Sequence, residues 1–476
     1  YSGLRADWTR AFLSDDSVAG TWFGYGSQHP RHPWEAMFKG YSILSWWGYL
    51  PKGLPHMAMI RPDLVPNRRF PEIGWHQIEI QKGIGRLFVQ SRPSPPRVFI
   101  PYSQSSIYTA NALDRDYMAA TQVAVRLLAK LSLPYSFIAD EQATRGKSKR
   151  LKKSLILFPA AESLPAVAAR TYANVLRRRC FALADAFTAT RDGHGKVLPA
   201  GSLDRAFGIR RSNSRVMERP IIAPIEWTDR APESLRSIKG QMVQAFKKIE
   251  ASTGVVWANF PDGTPAVVGN STSLDSLALW LNTSLSPSKT QRPQSTSKDS
   301  KDLLSPNQTI EQVTRFLIQK AGIVSPVRVD PPELRPTLVS EFEKGRTRIY
   351  GLLLGGNRGS VKVLLPAKAH TYETRSGKYM GEVDTFDDSF DPSQHARVYV
   401  QLPYQVAGIS ADLDAEIMRR GEVIRLSGRI EAKGGATESH VLHCELVDPG
   451  GARPYYHRKN ASAPKGRFEL EWPLAL

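Results

Sequence analysis

The window Val18–Tyr49, VAGTWFGYGSQHPRHPWEAMFKGYSILSWWGY, concentrates the side chains that could do chemistry. His29-Pro-Arg-His32 offers two closely spaced imidazoles. Flanking carboxylate or cysteine ligands are missing, so no metal is expected there. Glu35 is the nearest carboxylate and the only catalytic candidate of the window. It falls inside a predicted helix beside Pro33, where a solvated helix-N-terminal role competes with catalysis. Trp22, Phe23, Tyr25, Trp34, Trp46, Trp47 and Tyr49 crowd the same stretch. Rings at strand C-termini of an α/β layout face the mouth where ligands bind, and flat rings suit sugar faces. Tyr25, His29, Trp46 and Trp47 are the binding candidates. Successive strand residues point opposite ways, so only one of Trp46 and Trp47 can face inward. The competing role for each is packing, and Trp22 and Phe23 are read as core.

The elements that must position these groups are two strand-like runs, Ala19–Tyr25 and Ser42–Tyr49. Pro33 marks a helix start between them, and Gly40 lies just past its end. Strand, loop, short helix and strand make one βαβ unit, and both strands are too apolar for a half-exposed sheet.

The chain has 476 residues, enough for two to four domains with ample cores. Its 41% hydrophobic and 23% charged content is that of a soluble globular protein, and no run approaches the ~20 apolar residues of a membrane span. A formal net charge of +19 raises nucleic acid as a partner. The basic residues are dispersed, apart from Arg145–Lys153 and Arg177–Arg179, and no nucleic-acid motif accompanies them, so a solvated basic surface is expected. Cys180 and Cys444, the two cysteines, imply neither a disulfide framework nor a metal cluster and read as small hydrophobes. The chain opens at Tyr1 without a signal pattern and closes on ELEWPLAL, like a strand cut short. Both ends read as truncated, which leaves location open between the cell interior and secretion or the periplasm.

Residues 1–92 hold a helix at Asp7–Leu13, the βαβ unit, a Pro-rich excursion at Pro51–Pro71 and an amphipathic helix at Glu72–Val89. That helix spaces Ile73, His76, Ile80, Ile84, Leu87 and Phe88 on one face, with Gly83 and Gly85 weakening its end. Pro93–Pro96 reads as a stiff linker. Apolar runs at Arg97–Pro101, Tyr135–Ala139, Ser154–Pro159 and Cys180–Ala184 alternate with helices at Asp114–Leu131 and Ala166–Arg178. This is the pattern of a parallel, doubly wound sheet with a ligand edge near Tyr102–Ser106, Asp140 and Pro159–Ser163. Residues 188–230 show no period. A helix is expected at Ser234–Ala251, strands at Gly254–Asn259 and Ala266–Val268, a mobile segment at Ser284–Ser305 and a closing helix at Ile310–Ala321. From Ser325 the pattern is β, with strands at Thr337–Phe342, Arg348–Leu354, Val361–Leu365, Ala396–Gln401, Gly421–Ile430, Ser439–Val447 and Arg467–Trp472, and a turn at NASAPKG. Alternation in VIRLSGRI and HVLHCELV fits a sandwich with one solvated face.

No nucleophile elbow, phosphate loop or metal spacing occurs in the middle or last part, which therefore read as non-catalytic. PWEAMFKGYSILSWWGY (Pro33–Tyr49), MIRPDL (Met59–Leu64), KGIGRLF (Lys82–Phe88) and RVFIPYSQSSIYTA (Arg97–Ala110) resemble the glycoside hydrolase family 42 β-galactosidases and their multidomain relatives. The resemblance covers residues 18 to 285, and KVLLPAKAHTYETRSGKYMGEV (Lys362–Val383) looks like the appended β domains of large relatives. It implies a multidomain α/β plus β chain. Residues 1–92 would end a (β/α)8 barrel, and 93–324 would be a flavodoxin-like, amidotransferase-like trimerisation domain. Residues 325–405 would be a β domain, and 406–476 an Ig-like β-sandwich. It implies a carbohydrate substrate, no cofactor, no nucleic acid, and a homo-oligomer such as a trimer. Ala19–Tyr25 and Ser42–Tyr49 would be barrel strands seven and eight. A retaining glycosidase needs two carboxylates about 5–5.5 Å apart. The family's acid/base lies on strand four, which this chain does not contain, and its nucleophile slot on strand seven here holds Tyr25-Gly-Ser-Gln. The implied protein is either part of such a hydrolase or a carbohydrate-binding or assembly protein derived from one.

Overall fold

The computed structural model describes residues 2–13, 17–23, 29–46, 65–66, 70–113, 115–211, 215–273, 275–285, 306–414, 421–454 and 457–473. Of the expectations above, Tyr25, Trp47, Tyr49, most of the Pro-rich excursion and residues 286–305 lie outside them, as do the side chains of Trp22, Phe23 and Trp46. Two compact units emerge. One comprises Asp15–Pro95 and Pro326–Leu476 with Tyr1–Ala6; the other comprises Pro96–Ser325 with Asp7–Ser14.

In the first unit, strands β1 (Gly20–Phe23) and β2 (Ile43–Trp46) pair in parallel, Gly20 against Ile43 and Phe23 against Trp46. The connecting helix (His32–Phe38) carries Pro33 in its first turn, and Gly40 beyond it adopts φ +78°. Its Trp34, Met37 and Phe38 are buried against the largest sheet of the unit. The single helix expected at Glu72–Val89 is instead broken. Phe70–Glu79 and Gly85–Val89 are α-helical, and the π-turn Ile80–Ile84 between them has Lys82 at ψ +34° and Gly83 at φ +103°. A left-handed φ costs a glycine little, so the kink falls at Gly83. The apolar face survives the break: Ile73, Ile80, Ile84 and Phe88 are buried.

That sheet runs Arg328–Asp330, Gly359–Glu373, Ala396–Leu402, Thr347–Leu353 and Leu338–Lys344. Lys378–Phe390 hangs on Gly359–Glu373, and Arg92–Pro93 sits at the far edge. Pro93, expected to open a linker, lies opposite Phe342; an edge strand tolerates proline because it need not donate there. Both faces are covered. Ile349, Leu353, Val398 and Val400 meet the helices, while Tyr350, Leu352, Val363 and Tyr399 close a second core. Gly351 admits the Phe38 ring: a Cβ there would collide with it and with Ser340 Oγ. Beyond Leu402, Gln405–Leu413, Val423–Lys433 and Arg467–Pro473 form one antiparallel sheet, and His440–Glu445 pairs with Arg458–Ala463. Phe468, Leu470 and Trp472 point inward while Arg467, Glu469 and Glu471 face water. The expected turn NASAPKG is strand as far as Ala463, and only Pro464–Gly466 turns.

The second unit is built on an eight-stranded sheet. Strands Ser136–Ala139, Val98–Tyr102, Leu155–Phe158, Phe181–Ala184 and Ser276–Leu281 lie side by side and parallel. Pro265–Ser273, Val255–Asn259 and Glu226–Trp227 extend it antiparallel. Leu155–Phe158 and Phe181–Ala184 are buried at every position, as uninterrupted apolar runs require. Helices Gln104–Ala112, Tyr117–Lys130 and Ala166–Leu176 connect the parallel strands, the second capped by Asp116. The helix expected at Ser234–Ala251 is corrected to one short turn, Glu233–Arg236, followed by strand Gln241–Lys247 against Arg215–Pro224. Met242 and Gln244 are buried with Gln241 and Val243 only partly so, and the alternation breaks at a bulge where Ala245 and Phe246 are both buried, so no single period marks the strand within a window whose apolar residues also fit 3.6. Among the described residues no helix is long and apolar enough to cross a membrane.

Candidate functional site

Of the five site residues named from sequence, the structure brings one into a cluster. Trp46 ends β2 beside Phe23, so its backbone stands at the strand's C-terminal edge. Glu35 lies on the helix after β1, where its carboxylate meets Lys39 Nζ at 3.4 Å. Burial pushes this carboxyl up, but Lys39, Arg31 and His32 outweigh it and hold the pKa below the ordinary value. An ionised, paired carboxylate cannot deliver a proton at neutral pH, so Glu35 does not suit a general acid. His29 is exposed ahead of the same helix, 5.8 Å from the His32 ring.

His29 also lies 5.5 Å, centroid to centroid, from His395, and that contact leads into a network the sequence does not announce. His395 stacks edge-on to His76 at 4.9 Å, and its Nε2 is 3.3 Å from Glu72 Oε1. His76, buried on the inner face of Phe70–Glu79, accepts the Trp34 indole N–H on Nδ1 at 3.1 Å. Glu79, one turn on, receives two Arg375 hydrogen bonds of 2.5 and 2.7 Å. Burial raises the Glu79 carboxyl, but the neighbouring His76 ring and the Arg375 bonds prevail and hold it down to about 2. Arg375 also donates to the carbonyls of Gln394 and Ala396, on either side of His395, and stacks 4.8 Å over Trp34. His395 is thereby fixed in the left-handed region, φ +57°. Burial lowers the His395 pKa, with Glu72 opposing, so the ring is neutral at physiological pH. The sequence signal that existed was His76 on an apolar helical face; nothing tied it to a histidine of the C-terminal part.

A cleft of about 500 Å³ opens in the same unit, lined by Gln77, Gln81, Lys82, Arg86, His443 and Asn460 among others. Amides and cations of this kind can bond sugar hydroxyls. Several are engaged within the chain: Asn460 Nδ2 donates to Gln81 O at 2.6 Å, and Arg86 to Ser462 Oγ at 3.2 Å.

At the carboxyl edge of the second unit's parallel strands, Ser103 and Ser106 hydroxyls both donate to the Ser163 carbonyl at 2.8 Å. Thr109 and Ser163 hydroxyls meet at 2.7 Å. Glu162 is clamped by Arg115 at 2.5 Å and Arg191 at 2.8 Å. Asp140 is buried against Tyr172, and burial raises its carboxyl to about 7. The serine and threonine hydroxyls, Glu162 and Asp140 thus each have partners within the chain.

No protein-family profile matches the chain, and no curated protein does either. Solved structures do. The β-galactosidase from Bacillus circulans sp. alkalophilus aligns with a TM-score of 0.65 at 13% identity, covering 84% of this chain and 57% of that one. Gan42B, a GH42 β-galactosidase from G. stearothermophilus, gives 0.62 at 13% over 84% and 56%. The cold-adapted β-galactosidase from Rahnella sp. R3 gives 0.61 at 11% over 84% and 57%. The fold is that of multidomain glycoside hydrolases. More particularly, it is a GH42 β-galactosidase-like fold, and this chain spans somewhat over half the length of the structures it resembles.

Proposed function

We propose that this chain is part of a β-galactosidase-like glycoside hydrolase, contributing sugar-binding and assembly surfaces rather than the catalytic pair. The observation that carries the reading is the parallel β1–β2 pair joined through a helix, within a chain of GH42-like fold. Two parallel strands cannot stand alone, because their edges and both faces need cover. In this reading residues 1–92 are the last part of a (β/α)8 barrel whose other strands lie elsewhere in sequence. The parallel strands of the second unit, in spatial order 2-1-3-4-5, are those of a flavodoxin-like sheet, which supports a trimerisation-type domain at 93–324. Residues 325–405 and 406–476 are then appended β domains, the latter a sandwich.

Tyr25, His29 and one of Trp46 and Trp47 line the sugar site. The pairing of Glu35 with Lys39 favours the second reading, a carbohydrate-binding or assembly protein that has lost its catalysts, over a hydrolase acting through Glu35. Titration of the chain with a galactoside, followed by calorimetry, tests the site. One of Trp46→Ala and Trp47→Ala should abolish binding while the other weakens it little. Binding unaffected by either, or no binding to any galactoside, would remove the proposed site.

A further inference from the structure

We infer that Glu72, His76 and His395 form a binding site for a borderline divalent transition-metal ion of the zinc, cobalt or nickel class. Glu72 and His76 stand four residues apart on one helix, so both project from the same face. His395 comes from the turn after Pro392–Gln394. One donor atom from each lies within 4.8 Å of the other two. Two ligands at about 2.1 Å on a tetrahedral ion are roughly 3.4 Å apart. The observed 3.3 Å from Glu72 Oε1 to His395 Nε2 is therefore also the spacing of two ligands of one ion. Two imidazoles and one carboxylate favour zinc, cobalt or nickel over magnesium or calcium, which prefer all-oxygen sets.

The surroundings support the same conclusion. Metal-bound histidines characteristically donate their second nitrogen to a carboxylate or carbonyl that fixes the ring. Glu79 Oε2 lies 3.9 Å from His76 Nδ1, and Arg375 holds that carboxylate in place. Arg375 also secures the backbone on both sides of His395, so the two imidazoles come from separately braced elements. Three protein ligands leave a fourth position for water or for His29, whose ring is 5.5 Å from that of His395. Binding has a definite proton requirement. In the metal-free arrangement Nδ1 of His76 accepts from Trp34, which places the ring proton on Nε2. Coordination through Nε2 places the ring proton on Nδ1, facing the Glu79 carboxylate 3.9 Å away, and ends acceptance from the Trp34 N–H.

Cobalt(II) added to the chelator-treated chain tests this. One equivalent should bind with the visible d–d bands of a low-coordinate N/O site, and zinc should displace it. His395→Ala and Glu72→Gln should each weaken cobalt binding at least tenfold. Glu72 is exposed, so Glu72→Gln separates loss of a ligand from loss of the fold. Cobalt bound equally by wild type and the His76→Ala/His395→Ala double variant, or no uptake by wild type at millimolar metal, would overturn the inference.

Discussion

Arg375 grips Glu79 through two hydrogen bonds of 2.5 and 2.7 Å, and the same guanidinium stacks over Trp34 and fastens the backbone around His395. One side chain from the long β-hairpin therefore ties together the helix after β1, the helix that carries His76, and the turn that carries His395.

Glu79→Gln leaves Arg375 half-paired in a largely enclosed site and should cost about 2 kcal/mol at pH 7, between the values for exposed and buried pairs. The pH dependence follows from the depressed carboxyl. A group held near 2 in the folded chain contributes stability that is present above about pH 4.5 and is lost as pH falls toward 2. Urea denaturation of wild type should show that acid-side loss, and Glu79→Gln should show less of it.

Asp140 behaves in the opposite sense. Its carboxyl, raised to about 7 by burial, favours folding while protonated, and that contribution is lost as pH rises from about 4 to 7. Asp140→Asn mimics the protonated form. It should match wild type near pH 4 and exceed it by on the order of 2 kcal/mol at pH 8, read from denaturation of the second unit.

Gly351→Ala should destabilise the first unit by about 1–3 kcal/mol, because the new methyl meets Phe38 and Ser340 across a closed interface. Combining it with Phe38→Leu should recover part of the loss, which thermal denaturation of the double variant measures.

The elements legible in sequence were those with a single consistent period or punctuation. Pro33 and Gly40 bracket the helix between β1 and β2, and the runs at Leu155–Phe158 and Phe181–Ala184 are too apolar for anything but a covered strand. Gln241–Lys247 was not legible, because its apolar residues fit a helix as well as a strand and only pairing with Arg215–Pro224 decides between them. Ser276–Leu281 lies where no strand was expected, although it completes the parallel set. The network of Trp34, His76, Glu79, Arg375 and His395 was hidden for another reason: its members come from three distant stretches, and each alone reads as an ordinary core or surface residue. His29 was named from sequence with His32 as its partner, and the structure adds His395.

As proposed above, this chain contributes sugar-binding and assembly surfaces to a glycosidase-like protein and does not supply the catalytic carboxylates. Hydrolysis of an aryl β-galactoside by the chain alone, and by any longer gene product that carries the proposed barrel strands, tests it most directly. No turnover by the chain, turnover by the longer product, and no loss of that turnover on Glu35→Gln are the expected results. Hydrolysis by the chain alone that disappears with Glu35→Gln would contradict it.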